Sequence, residues 1–594
     1  MKSHFKSLLP IATFGHKHLF KIMLACGAVV ILSACDTQQD TSTASNQAAA
    51  PPASQNTAND PISDPVTLAE DAISEAAYRR HIEILASDEF GGRAPASPGE
   101  QLTIDYLTDA FSSLGLEPGN GDSYIQDVPL AWVNATNKPG MRISGGKGDD
   151  LELAYIEDQV IWTRKQIAAA SIEASELVFV GYGINAPERD WNDYHGIDVK
   201  GKTIVMLIND PGFATQDPEL FNGNAMTYYG RWDYKYDEAA RQGAAGAIII
   251  HDTHPAAYGW STVVNSWTGP QFAMVLPDKG ESLASVEGWV TLDNARIIFD
   301  KAGLDLDELS QKARQPGFTA VPMNLKATAA LANDTENVNS RNVAAILRGS
   351  EAPDEYFIYM AHWDHLGTDP TLEGDNIFNG ALDNATGTAA LLEIARAYTT
   401  LPVAPRRSVM FLSVTAEEQG LLGSLYYADN PLVPLEDTVA GLNMDGMNNF
   451  GETRDITVIG LGMSGLDKYL TKAAAAQEKV LEGDREAEKG YYYRSDHFEL
   501  AKKGVPMLYP GSGYDHKEKG VEYGMQVAQE YVKNNYHRVT DEYDLSWDVS
   551  GAMEDMKTFF RTGLDIANSE DWPNWSEGTE FKATRDAQLS AAEK

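Results

Sequence analysis

The stretch YFIYMAHWD at residues 356–364 decides the fold, because a run of large apolar residues passes directly into a histidine and an aspartate. Such a run predicts a strand that is buried on both faces, as in a parallel sheet. The pattern recurs in SVMFLSVTAEE at residues 408–418 and in VAGLNMD at residues 439–445. Ligands of open α/β sheets bind beyond the carboxyl ends of the strands, so these polar residues are predicted to meet in one crevice.

Strands and helices alternate from residue 342 onward, which predicts an α/β fold with a mostly parallel central sheet and helices on both faces. Residues 66–133 are predicted to form a helical lead-in, residues 134–335 a β-rich insert, and residues 336–594 the catalytic domain. The predicted strands of the last domain are Val343–Leu347, Tyr356–Met360, Ser408–Val414, Val439–Met444, Ile456–Ile459 and Val505–Tyr509. Its predicted helices are Thr388–Tyr398, Leu421–Tyr427, Leu466–Ala476 and Met553–Ile566.

The N-terminus predicts export. In residues 1–34 a basic region without acids precedes the apolar stretch Ile22–Leu32, which is typical of a secretory signal. The sequence LSAC at residues 32–35 resembles a bacterial lipoprotein cleavage box, which implies a lipid on Cys35. Residues 35–65 are then predicted to form a flexible tether. We expect a protein exported from a bacterial cell and anchored on the periplasmic side of the envelope. Plain secretion with a chance cysteine is the alternative.

Composition excludes several classes of protein. The formal net charge of −39 argues against a nucleic-acid partner. Cys26 and Cys35 are the only cysteines, and both lie in or at the signal, so the mature chain has no internal disulfide and no thiol catalyst.

The segments around the candidate ligands resemble the family of di-zinc aminopeptidases, which is related to leucyl aminopeptidases and glutamate carboxypeptidase II. The matching pieces are HWDHLG (362–367), GALDNATG (380–387), EEQGLLGS (417–424), NMDG (443–446) and YH (536–537). DYHGIDVKGK (193–202) and GAAGA (243–247) resemble a protease-associated domain, which implies that the insert is one. The resemblance implies a zinc exopeptidase fold.

The resemblance also implies two zinc ions. His362 and Asp445 would bind one ion, Glu418 and His537 would bind the other, and Asp383 would bridge both. This mixture of imidazole and carboxylate ligands suits zinc.

Three further residues receive roles from the same resemblance. Glu417 would be the general base for a hydroxide that bridges the two ions. Asp364 would fix the tautomer of His362, or alternatively cap a turn. His497 would hydrogen-bond the scissile carbonyl, with a structural role as the alternative.

Other polar residues near the motifs receive weaker interpretations. Arg93 is predicted to form a buried ion pair, and Asp541 to orient His537 or cap a turn. The remaining histidines of interest are predicted to be non-ligands; they are His195, His365 and His516.

The expected function is that of a zinc-dependent aminopeptidase, which removes N-terminal residues from peptides. The alternative is a carboxypeptidase or dipeptidase of the glutamate carboxypeptidase type. Such an enzyme needs cations for the substrate carboxylate, and Arg494 is one candidate without a visible arginine cluster. A one-zinc glutaminyl cyclase and a metal-free receptor are disfavoured because the ligand set is complete.

Overall fold

The computed structural model describes residues 64–592, which belong to one compact unit. The predicted signal and nearly all of the predicted tether lie outside these residues, so both stay predictions. Within residues 64–592, no helix is long and apolar enough to cross a membrane.

Four parallel strands form the centre of the main sheet. In spatial order they are Arg407–Val414, Ala352–His362, Thr438–Asn443 and Met507–Ser512. Antiparallel strands flank them: Val321–Leu347 pairs with Arg407–Val414, and Asp455–Ile459 pairs with Met507–Ser512. Val480–Gly483 adds a further strand beside Asp455–Ile459. The predicted α/β class with a large central sheet and helices is confirmed.

Successive side chains of the central strand Ala352–His362 point to opposite faces of the sheet. Its sequence is a continuous apolar run because both faces are covered. Phe357, Tyr359 and Ala361 pack on one side with the helices Glu75–Leu85, Pro98–Ser113, Thr386–Thr399 and Ser550–Asn568. Ile358 and Met360 pack on the other side with the helices Leu422–Asp429 and His497–Lys502. Helices therefore cover both faces of the sheet, and both faces are buried.

The insert has a sheet of its own, which contains parallel as well as antiparallel pairs. Its strands, in spatial order, are residues 321–332 of Val321–Leu347, then Ala169–Phe179, Thr203–Leu207, Gly246–His251, Val286–Thr291 and Gln159–Trp162. Met141–Gly145 and Leu151–Leu153 extend it. The helices Trp232–Arg241, Trp260–Trp267, Leu292–Ala302 and Leu306–Ala313 accompany this sheet. That the insert is a protease-associated domain stays a prediction.

One long strand joins the two sheets. Val321–Leu347 pairs with insert strands through its first half and with Ile125–Ala135 and Arg407–Val414 through its second half. The predicted boundary between residues 335 and 336 falls inside this strand. Sequence alone predicted only its last five residues, because residues 321–340 are largely small and polar.

Shorter elements complete the fold. The remaining strands are Glu117–Pro118, Asn185–Ala186, Trp191–Asn192, Pro270–Met274, Gly367–Thr368 and Ile377–Phe378. The remaining α-helices are Pro65–Asp71, Pro211–Thr215, Thr253–Ala256, Asp467–Ala476, Gly520–Asn534 and Lys582–Ala592. Short 3₁₀ or π segments lie at Asp88–Arg93, Pro187–Arg189, Tyr228–Gly230, Ala381–Ala385, Ala487–Lys489 and Tyr491–Tyr493.

Candidate metal centre

The structure brings all five predicted ligands together at the carboxyl end of the central strands. Nε2 of His362 lies 3.2 Å from Oδ1 of Asp445 and 3.4 Å from Oδ1 of Asp383. Nε2 of His537 lies 2.9 Å from Oε2 of Glu418 and 3.6 Å from Oδ2 of Asp383. Asp383 therefore directs one carboxylate oxygen toward each histidine, which is the arrangement that a bridging ligand needs.

The negative charge of the three carboxylates in this cluster needs cations to balance it. Asp383, Glu418 and Asp445 have no lysine or arginine within 4.0 Å among the described residues, and histidines are the only basic side chains that approach them that closely. Carboxylates withdrawn from water without a counter-charge are costly. Imidazole nitrogens and carboxylate oxygens together suit zinc, so the residues present fit a pair of divalent ions.

Asp541 positions the turn that carries Asp383. Its Oδ1 accepts the N–H of Leu382 at 3.1 Å, and its Oδ2 accepts the N–H of Asp383 at 3.1 Å. Of the two roles predicted for Asp541, the structure places it as the cap of a turn. No hydrogen bond joins its side chain to His537 among the described residues.

Asn384 joins the Asp383 turn to the Asp445 loop, and the sequence analysis missed it. Its Oδ1 accepts the N–H of Gly446 at 3.0 Å, and its Nδ2 donates to the carbonyl of Met444 at 3.0 Å. A buried amide directly after a candidate bridging aspartate is the signal that could have revealed it. The contact fixes the distance between two ligand-bearing loops.

Asp364 contacts both the backbone and the imidazole. Its Oδ1 accepts the N–H of Glu417 at 3.1 Å and lies 3.8 Å from Nδ1 of His362. The same nitrogen is closer, at 3.3 Å, to the backbone carbonyl oxygen of Asp364. Burial raises the pKa of Asp364 to about 8. Asp364 thus secures the segment that carries Glu417, while its main-chain oxygen is the nearer partner of the His362 ring.

The carboxylate of Glu417 is available to take part in a reaction. Its carboxylate has no hydrogen-bond partner among the described residues, whereas its neighbour Glu418 contacts two histidines. Burial raises the pKa of Glu417 well above its ordinary value, and nearby acids, including Asp445, add to the increase. A partly buried carboxyl with a raised pKa beside candidate metal ligands is suited to accept and return a proton.

His365, which was predicted to be a non-ligand, lies beside the candidate ligands. Its Nδ1 is 2.5 Å from Oε1 of Glu418, and the ring is fully buried. His365, Asp383 and Glu418 offer ligand atoms within 4.8 Å of one another, as do His362, Glu417 and Asp445. The proximity of His365 to His362 in HWDH was the available signal. His365 contacts Oε1 of Glu418 and His537 contacts Oε2, so the two histidines together hold both oxygens of this carboxylate.

His497 packs beside Tyr509 and does not line either of the two cavities described below. Both of its ring nitrogens are buried without a hydrogen-bond partner among the described residues, and burial lowers its pKa to about 3. Its ring packs on Tyr509, with ring centroids 4.5 Å apart. Tyr509 in turn places its hydroxyl 3.4 Å from Oδ2 of Asp445. The residue that this geometry brings to the acids is Tyr509, so the predicted contact between His497 and substrate has no support here.

The predicted ion pair of Arg93 is wrong. The Arg93 guanidinium donates instead to the carbonyls of Leu85 at 2.6 Å, Trp363 at 2.8 Å, Asn379 at 2.7 Å and Gly380 at 2.8 Å. No carboxylate lies within 4.0 Å of it among residues 64–592. The segments that carry His362 and Asp383 present carbonyls, not acids, to the lead-in, and a guanidinium has enough donors for all of them.

The glycines before Arg93 allow this contact. Gly92 has a φ of 67°, and a Cβ there would lie 2.4 Å from the carbonyl oxygen of Gly367 and 2.6 Å from that of Phe378. Only glycine permits so close an approach. The GGR stretch of the lead-in therefore docks directly on the loop that follows His362.

Two cavities open at the acids, and Glu417 lines both. The insert-side cavity, of about 430 Å³, also contacts Glu418, His537 and residues of the insert such as Arg231. The apolar cavity, of about 280 Å³, contacts Asp383 and Asp445. Its further lining includes the apolar side chains Met447, Phe450, Ile459 and Val527.

Comparison with known proteins points to one family. The profile of Peptidase family M28 matches residues 342–560. Aminopeptidase NAALADL1 of Rattus norvegicus is 37% identical over 138 residues, which are 22% of this chain and 17% of that protein. The probable glutamate carboxypeptidase AMP1 of Arabidopsis thaliana is 26% identical over 357 residues, which are 58% of this chain and 47% of that protein. The chain thus matches less than half the length of these relatives.

Among solved structures, an aminopeptidase from Aneurinibacillus sp. strain AM-1 aligns with a TM-score of 0.49 and 18% identity. The alignment covers 84% of this chain and 96% of that one. The family match spans every segment that carries a candidate ligand, from His362 to His537. Residues 342–560 are thus similar to Peptidase family M28.

Proposed function

We propose that this protein is an exported zinc-dependent aminopeptidase, which hydrolyses the bond after the N-terminal residue of peptides. The observation that carries the proposal is Asp383, whose Oδ1 faces His362 and whose Oδ2 faces His537. A carboxylate shared in this way suits two metal ions held side by side.

Five residues would hold the two zinc ions. His362 and Asp445 would hold one ion, Glu418 and His537 would hold the other, and Asp383 would be shared by both. When bound, the ions supply Lewis-acid polarisation of the scissile carbonyl and lower the pKa of water to about 7.

Glu417 moves the proton. Its carboxylate takes a proton from the attacking water, whose oxygen forms the new bond to the scissile carbon. The proton then passes from Glu417 to the nitrogen of the leaving amine as the C–N bond breaks, which returns Glu417 to its carboxylate form. The position of Glu417 between the two cavities supports this role, because both sides of the scissile bond are then within its reach.

The apolar cavity would receive the N-terminal side chain. Met447, Phe450, Ile459 and Val527 line it, and Asp383 and Asp445 stand at its metal end. The lining also contains charged residues such as Arg494, but its apolar residues, with acids at the metal end, fit a terminal residue that has an uncharged side chain and a free α-ammonium group. The insert-side cavity would receive the remainder of the peptide.

A carboxypeptidase of the glutamate carboxypeptidase type is the second candidate. Arg494 supports it, because it lines both cavities and has no carboxylate within 4.0 Å among the described residues. The similarity to a probable glutamate carboxypeptidase over 58% of the chain points the same way.

Export and lipid attachment at Cys35 belong to the proposal. Their support is the sequence of residues 1–35 alone, which lies outside the described residues. The assignment of residues 134–335 as a protease-associated domain is also part of the proposal, and its support is the sequence motifs at residues 193–202 and 243–247.

Two substrates separate the candidates. We expect hydrolysis of leucine p-nitroanilide, which has a free amine and no carboxylate, and no hydrolysis of N-acetyl-leucyl-glutamate, which has a blocked amine and a free C-terminus. Release of nitroaniline and of glutamate measures the two reactions. Hydrolysis of the blocked peptide alone would replace the aminopeptidase with the carboxypeptidase.

A further inference from the structure

The insert contains a further cavity, which lies at the carboxyl ends of its parallel strands. These strands, in spatial order, are Ala169–Phe179, Thr203–Leu207, Gly246–His251 and Val286–Thr291. Each of them contributes to this strand-end cavity from or just after its last residue, through Tyr182, Ile208, Asp252 and Leu292 respectively. Open α/β sheets bind their ligands in the crevice beyond the carboxyl ends of the strands. The position alone therefore favours a ligand site.

The strand-end cavity is distinct from the two cavities at the metal centre. Its volume is about 340 Å³, and it shares no lining residue with either of them. Small-molecule sites occupy roughly 300–1,000 Å³, so the volume fits a small ligand. Large apolar side chains form part of its wall; they are Leu207, Ile208, Phe213, Ile250, Leu292 and Leu306. The ligand is therefore expected to have an apolar part.

Arg314 brings to this cavity a cation without an ion pair. Its Nε is buried without a hydrogen-bond partner, and no carboxylate lies within 4.0 Å of the guanidinium among residues 64–592. Burial raises the pKa of the Tyr182 hydroxyl and the charge of Arg314 opposes the increase, so a neutral phenol is the neighbour of this cation. Arg296, which also lines the cavity, lies 2.6 Å from Asp307 and is neutralised by it. A bound carboxylate would give the Arg314 guanidinium the partner that it lacks.

Asp252 brings to the same cavity an acid without a basic partner. Its Oδ1 accepts the N–H of His254 at 3.3 Å, and no lysine, arginine or histidine nitrogen lies within 4.0 Å of the carboxylate among the described residues. Arg314 and Asp252 thus present one unpaired charge of each sign. A simple anion would pair with only one of them. A ligand that carries both a carboxylate and an ammonium group would pair with both.

Residues 252–258 contribute to the strand-end cavity and to the apolar cavity at the metal centre. Pro255 lines the strand-end cavity, whereas Ala257 and Tyr258 line the apolar cavity. In the proposed reaction the apolar cavity receives the N-terminal residue, which hydrolysis releases as a free amino acid. This product has a carboxylate, an ammonium group and an apolar side chain, which are the three features that the strand-end cavity complements.

We propose that the strand-end cavity is a second binding site, which holds a free amino acid with an apolar side chain. The α-carboxylate pairs with Arg314, the α-ammonium group pairs with Asp252, and the side chain contacts the apolar wall. The site itself rests on the cavity and its two unpaired charges. The identification of the ligand as the reaction product rests on the proposed aminopeptidase function.

Equilibrium dialysis of the zinc-loaded protein against radiolabelled leucine tests this site. Leucine bound at the metal centre is common to the wild type and the variants, so their difference counts the second site. With free leucine at about 1 mM, the upper end of ordinary enzyme affinities for small substrates, we expect the wild type to bind about one leucine per chain more than R314Q or D252N. Asparagine at residue 252 keeps an acceptor for the N–H of His254 and removes only the charge.

A matched control and two analogues sharpen the test. K312Q removes a cation from the helix Leu306–Ala313 but does not change the cavity lining, so it should bind as much leucine as the wild type. Leucinamide lacks the carboxylate and N-acetylleucine lacks the ammonium group, so neither should compete for the additional leucine of the wild type. Wild-type rates of leucine p-nitroanilide hydrolysis by R314Q and D252N would show that both variants are folded.

Equal leucine binding by the wild type and a folded R314Q would overturn the site. If the variants do not fold, the analogues decide, because competition by leucinamide or N-acetylleucine as strong as that by unlabelled leucine overturns the pairing with both charges. Loss of the additional leucine in K312Q overturns the assignment to Arg314. Additional leucine without hydrolysis of leucine p-nitroanilide keeps the site and overturns the proposed function, whereas hydrolysis without additional leucine does the reverse.

Discussion

Replacement of Glu417 by glutamine is expected to lower kcat by about 10²- to 10⁴-fold, the usual contribution of a general acid–base group. An amide cannot take the proton of the attacking water. Zinc content should stay near that of the wild type, because Glu417 is not among the five proposed ligands. The measurement pairs steady-state hydrolysis of leucine p-nitroanilide with metal analysis of the same sample.

A matched control separates chemistry from general damage. Glu373 is exposed in a loop of the same domain, so E373Q should leave both kcat and zinc content unchanged. If E417Q retains turnover within about tenfold of the wild type, Glu417 is not the proton carrier. If E417Q loses one zinc ion, Glu417 acts as a ligand, as its place within 4.8 Å of His362 and Asp445 would allow.

Replacement of Arg93 by methionine is expected to destabilise the metal-free protein by about 3 kcal/mol or more, because four buried carbonyls lose their donors. Those carbonyls belong to Leu85, Trp363, Asn379 and Gly380. Trp363 directly follows His362, and Gly380 lies three residues before Asp383, so zinc affinity should also fall. Denaturant unfolding in the presence of a chelator measures stability, and competition with a coloured chelator measures affinity.

The lysine variant sharpens this test. R93K keeps the charge but offers three donors from one atom, so it should recover part of the stability and little of the affinity. Arg142, which is half-exposed on the insert, provides the control, and R142M should change stability by no more than about 0.5 kcal/mol. An R93M protein with wild-type stability and zinc affinity would show that the four hydrogen bonds do not organise the centre.

The central strands and their ligands could be predicted because both signals are local. The apolar run at residues 356–361 is buried on both faces, and His362 follows where the strand leaves the sheet. The same holds for Asp445 after Thr438–Asn443. Parallel strands bring such ends to one edge, so local patterns predict a shared site.

The contacts that complete the site are not local, and sequence did not predict them. Arg93 binds carbonyls of residues up to 287 positions away in the sequence. Every residue has a main-chain carbonyl, so residue types cannot indicate which carbonyls accept these hydrogen bonds. His365 acquires its partner Glu418 only when two strands are adjacent. Arg231 and Arg494 come from the insert and the catalytic part respectively, so their shared cavity exists only in the folded chain.

The most direct measurement is a zinc titration of the chelator-treated wild-type protein, with hydrolysis of leucine p-nitroanilide followed at each addition. A two-metal hydrolytic centre predicts no turnover without metal, and a rise that is complete when two zinc ions are bound per chain. Turnover that survives complete removal of metal, or that is complete with a single bound ion, would contradict a bridged pair at Asp383.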